Sequence, residues 1–157
     1  MRQRRTVWIG ITGVLLVLLA GALQMHRAFP VAGIRPNFIL TALIVVSFFV
    51  EDTPWYLATA LIASISIRFS GGWSIEALAI ILIGIGVFFI KSKIVWPGVY
   101  GSAILIALST LVLYAFIGIH FLFSSFGIVA AEILYNIALG FILYESLEWL
   151  TKRSARV

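Results

Sequence analysis

The sequence predicts an all-α polytopic membrane protein, a bundle of six transmembrane helices. Two observations carry that class. The 157 residues are 62% hydrophobic and only 11% charged, whereas a soluble domain is roughly 45–50% apolar and about 25% charged. A soluble core of this size would leave large apolar patches exposed. The apolar residues also fall into six runs separated by polar or Pro/Gly breaks, several of them approaching the roughly 20 residues that a span requires. Six spans use roughly 120 residues, so residues 1–157 are read as one domain. The lack of cysteine excludes thiol catalysis, a Cys-built zinc site and an iron–sulfur cluster.

Arg2, Arg4 and Arg5 precede the first run, residues 7–23. Gln24 to Pro30 break it. The second run covers residues 37–50 and is closed by Glu51 and Asp52. Thr53 followed by Pro54 suits a helix start with Pro at the first helical position. The third run covers residues 55–69, and Ser70, Gly71 and Gly72 make a turn. The fourth, residues 75–90, stops at Lys91, Ser92 and Lys93. The fifth opens at Pro97 and Gly98 and continues to Ile117, and residues 118–125 suit the membrane interface. The sixth covers residues 126–150 before a basic tail.

Runs two to four are short. They require flanking residues, tilt or local thinning to span, and a re-entrant pair is the alternative for runs three and four. Consecutive Ile80, Ile81, Leu82 and Ile83 break the alternation a transmembrane barrel needs.

Charge sets orientation. With the N-terminus in the cytoplasm and six spans, Arg2, Arg4, Arg5, Lys91, Lys93, Lys152, Arg153 and Arg156 lie inside. Arg27, Arg35 and Arg68 lie outside, and these residues together make up all 11 basic ones. Both termini are therefore expected on the cytoplasmic side. The net charge of +5 reads as this loop bias rather than as nucleic-acid binding. Ala20-Gly21-Ala22 behind the basic start also fits a signal peptide, but cleavage would strand the two basic tails on opposite faces.

His26 and His120 fall at span ends with no second ligand at metal spacing. Neither a metal nor a cofactor is expected. Gly84-Ile85-Gly86 lacks the strand–helix context of a nucleotide loop and suits close helix packing. Ionisable residues at membrane depth are more informative. Glu132 lies two turns into the sixth run, with Tyr135 and Asn136 on a neighbouring face. That grouping reads as a helix–helix polar contact first and a ligand or proton site second. Glu76 opens the fourth run, where the helix dipole favours it and Arg68 offers a partner. Glu148 and Lys152 have the order of a surface pair. Small residues recur four apart at Ala60/Ser64, Gly98/Ser102, Ala103/Ala107 and Gly127/Ala131, which suits internal packing. Trp8, Trp55, Trp73, Trp96 and Trp149 near span ends form an aromatic belt.

Around Arg35-Pro36-Asn37, which opens the second run, the chain resembles the rod shape-determining protein MreD family. The turn Ser70-Gly71, the apolar fourth span after it, and Tyr135-Asn136 in the last span before a basic tail follow in the same order. Family members often carry an aspartate before the Ser-Gly turn, where this chain has Ile67 and Arg68. The resemblance implies a non-enzymatic scaffold of the cell-elongation machinery. Its partners would be a bitopic MreC-like protein and, through it, MreB filaments and peptidoglycan synthases. It also implies a fold similar to the substrate-binding subunits of energy-coupling-factor vitamin transporters. Membrane substrate binding, with Arg68, Trp73, Glu76 and Glu132 as candidate residues, is therefore the alternative function.

Overall fold

The six runs fold as six α-helices in the computed structural model: α1 (Arg2–Met25), α2 (Phe38–Phe49), α3 (Thr53–Phe69), α4 (Ile75–Ile90), α5 (Val99–Ser124) and α6 (Phe126–Ser154). A 3-10 turn, Lys91–Lys93, extends α4. The structure describes residues 2–26, 30, 33–69, 75–94 and 98–154, without the side chains of residues 2–5, 68, 69 and 154. Among these residues the chain is all helix and loop, with no strand. Four helices are long and apolar enough to cross a membrane: α1, α4 with its 3-10 turn, α5 and α6. The chain is therefore an all-α membrane bundle.

The shortest helix is the central one. α2 has 12 residues, about 18 Å of helix, and packs against each of the other five. Phe38 to Ser47 are all buried, so α2 is apolar on every side, as a helix without a solvent face must be. Around it run α1, α3, α4, α5 and α6, with α1 on α3, α3 on α4, α4 on α5 and α5 on α6.

Small residues set the close approaches. A Cβ on Gly10 would lie 2.4 Å from the Trp55 ring, and one on Gly21 would lie 2.7 Å from the Ser66 Cβ. These contacts join α1 to α3. Gly84 lets α4 meet Leu43 of α2, at 3.2 Å from its Cβ position. Gly86 has nothing within 4 Å of that position, and neither has Gly127. Packing thus explains Gly84 of the first pair and Ala60/Ser64, both buried, but not Gly127.

α5 and α6 form an antiparallel hairpin joined at Ser125. Its rungs are four residues apart: Tyr114 meets Glu132, Thr110 meets Asn136, and a Gly140 Cβ would strike Ile106. Residues 119–124 are helical and continue α5 past a break in helical geometry at Gly118. α3 also starts one residue earlier than the Thr-Pro signal suggests. Tyr56 N–H donates to Asp52 O, so Asp52 takes the cap position.

Candidate functional site: the polar joint at the start of α2

Pro36 has no N–H, fixes its own φ and disfavours helix at Arg35. The helix therefore begins only after it. Asn37 is the N-cap of α2, and its Oδ1 accepts from Leu40 N–H at 3.0 Å. This helix start is buried, so its free amides cannot use water and each needs a partner. Asn37 N–H donates to Asn136 Oδ1 at 2.8 Å, across 99 residues of sequence. Ile39 N–H donates to Gln24 Oε1 at 3.1 Å. Three neutral amide oxygens, from α1, α6 and the cap itself, thus face the positive end of the helix dipole.

Asn136 is fully buried and spends its other end as well. Its Nδ2 donates to Thr110 Oγ1 at 3.2 Å, and Thr110 Oγ1 donates to Ile106 O at 2.9 Å. One turn nearer the hairpin tip, the Tyr114 hydroxyl donates to Glu132 Oε2. Glu76 is exposed in the first turn of α4.

The structure therefore brings together Asn37, Asn136 and Glu132. Pro36 is buried beside them, Tyr135 is half-buried on the adjoining face, and Arg35 is exposed. Arg68 lies in α3 with its side chain outside the described residues, so its pairing with Glu76 lies outside them too. Ser70, Gly71, Trp73 and Trp96 also fall outside the described residues. Glu148 and Lys152 pair at 2.9 Å. Trp8 and Trp149 are exposed near their helix ends, whereas Trp55 packs on Gly10.

Five residues in these contacts were not expected from the sequence: Gln24, Thr110 and Tyr114 at the joint, and Lys91 and Tyr56 elsewhere along α2. Lys91 holds the other end of α2. Its Nζ donates to Ser47 O and to Val50 O, the latter at 2.9 Å, and lies 4.4 Å from the Phe88 ring centroid. Tyr56, also unexpected, is fully buried. It stacks on Phe88 at 4.4 Å and donates to Leu43 O and Gly84 O, the latter at 2.7 Å. It thereby ties α3 to α2 and α4. Thr41 Oγ1 is the one buried side-chain polar atom without a partner among the described residues.

Chemically, the joint holds helices. Amides and hydroxyls bond one another and the backbone, and they fix the height at which α2 begins relative to α1, α5 and α6. Compared with known proteins, the chain matches no family model, no curated protein and no solved structure.

Proposed function

We propose that the protein is a non-enzymatic integral membrane scaffold of the bacterial cell-elongation machinery. In this reading it associates with a bitopic MreC-like partner and through it links MreB filaments to peptidoglycan synthases. It sits in the inner membrane with both termini cytoplasmic. The observation that carries the reading is the bond from Asn37 N–H to Asn136 Oδ1. Arg35-Pro36-Asn37 and Tyr135-Asn136 are the elements in which the chain resembles MreD, and they join at one buried point. That joint positions helices, as a scaffold requires.

The test is affinity purification of the tagged protein from its own membrane. A single-span coiled-coil partner in the eluate is the expected result. A small vitamin-like ligand in its place would end the scaffold reading in favour of substrate binding. Pro36→Leu lets helix extend backward and should abolish that association at near-normal membrane abundance. Glu132→Gln keeps shape and most hydrogen bonding, so rod shape should be complemented. A stable Glu132→Gln protein that fails to complement would transfer the functional role to the carboxylate. A phosphatase reporter fused after Val157 should be inactive and one near Ala32 active.

A further inference from the structure

We propose that the protein holds a slot for one apolar transmembrane helix between α1 and α6, and that the single span of the bitopic partner fills it. The identity of that occupant rests on the scaffold reading.

The helices around α2 do not close a ring. Helices pack at interaxial distances of about 8–10 Å, and at equal spacing about six of them fit around a central one. Here α2 has five neighbours, with α1 packed on α3, α3 on α4, α4 on α5 and α5 on α6. Among the described residues α6 is not packed on α1 in this way. One place around α2 is therefore left, and it lies between α6 and α1.

The two flanks of α1 differ accordingly. Toward α3, Gly10, Val17 and Gly21 are buried, with the Trp55 ring beside Gly10 and Ser66 beside Gly21. By the helical period, Ile9, Thr12, Leu16, Leu19 and Leu23 lie on the flank away from α3. Four of them are only half-buried, and Leu19 is 58% exposed. They recur at alternating intervals of three and four, the spacing of a helix–helix seam, over about 21 Å of helix. The Thr12 hydroxyl donates to Trp8 O at 2.9 Å, so it is spent within α1. On the other wall, α6 spends Glu132, Asn136 and Gly140 on α5 and α2. None of these contacts lies on α1.

The slot is held open by bonds. Helices in lipid associate through van der Waals packing, so α1 and α6 would close on each other if both were free. Both are pinned to the first turn of α2 instead. Gln24 of α1 takes Ile39 N–H, and Asn136 of α6 takes Asn37 N–H. These bonds fix the separation of the two walls at one mouth, which pre-organises the place for an added helix. Arg35 is exposed at that mouth, two residues before Asn37. Among the described residues the one ion pair, Glu148 with Lys152, lies near the other end of α6. The Arg35 guanidinium therefore suits a carboxylate just outside the partner's span. An apolar seam ending in a cation matches a single-span helix with an acidic residue at its border.

The test places a photoreactive benzoylphenylalanine at Leu16 or Leu23, in the slot, and at Leu18 or Leu61, which are 46% and 63% exposed on other faces. The full chain is irradiated in its own membrane. The expected result is an adduct from Leu16 and Leu23, and none from Leu18 and Leu61, with the single-span protein that co-purifies with the unirradiated chain. Random collision would favour the more exposed pair. Adducts from Leu18 and Leu61 alone, with lipid alone, or between two copies of this chain overturn the slot, while the co-purified partner keeps the scaffold reading standing. No co-purified partner overturns that reading and the occupant with it. If the photoreactive variants fail to accumulate, Leu16→Trp with Leu23→Trp fills the slot by steric clash. It should lose the partner at unchanged membrane abundance, whereas Leu18→Trp should retain it. Full recovery of the partner by the double variant overturns the slot.

Discussion

The two ends of α2 solve one problem with opposite chemistry. At the start, three neutral amide oxygens take up N–H groups: Asn37 its own cap bond, Asn136 from α6, and Gln24 from α1. At the finish, one cation, Lys91, donates to Ser47 O and Val50 O. The helix dipole favours negative charge at a start and positive charge at a finish, so a symmetric design would put a carboxylate beside Asn37. The joint does hold a buried carboxyl, Glu132, one turn along α6 from Asn136, but it is taken up by the Tyr114 hydroxyl, and the amides of α2 are left to neutral oxygens. Lys91 is only half-buried, beside exposed Glu51 and Asp52, and its stem lies along apolar surface while the ammonium caps.

Asn136→Leu should break the comparison hardest. It leaves Asn37 N–H without its acceptor and releases Thr110. Inter-helix side-chain bonds in membranes average only about 0.6 kcal/mol, because freed side chains find other partners. A backbone N–H pinned next to Pro36 cannot move to another partner, so the expected loss is about 2–4 kcal/mol, read as reversible unfolding in detergent. A loss near 0.6 kcal/mol would mean that water already reaches the joint.

Asn37→Ala should cost about 1–2 kcal/mol through the lost cap, and Asn37→Ser should recover most of it. If serine and alanine behave alike, the cap bond contributes nothing. Lys91→Met should cost about 1 kcal/mol. Part of that cost should vanish at high salt, since partly exposed charges are screened, whereas the Asn136→Leu loss should not change. Equal salt responses at the two ends would erase the distinction between them. Gln24→Leu is the smallest change, about 0.5–1 kcal/mol. A cost rivalling that of Asn136→Leu would make α1 rather than α6 the main anchor of the helix.

Elements were far more legible in the sequence than contacts. The boundaries of α2 and α4 follow from Pro36-Asn37, Glu51-Asp52, Glu76 and Lys91, because helix starts and stops are local chemistry. Asn37 and Asn136 each stand out as a polar residue among apolar ones. That they touch is not local, since the bond spans 99 residues and no pattern in one sequence encodes it. Lys91 reads as a topology signal because positive charge at a span end has that explanation ready. Its capping role depends on where α2 finishes in space. Gln24 reads as the end of an apolar run, and only the fold turns it inward to Ile39. Tyr56 carries no sequence signal beyond its type, since a tyrosine near a span end suits an interface equally well.

The bond between Asn37 and Asn136 also orders events during synthesis. Translation proceeds at roughly 5–20 residues per second, so the acceptor for Asn37 N–H follows its donor out of the ribosome by about 5–20 s. Over that interval α2 is a short hydrophobic segment with an unsatisfied start, and α1 alone can offer it an oxygen, from Gln24. The central helix is therefore among the first made and the last secured. A nascent chain halted before α6 holds its core helix without the Asn136 acceptor.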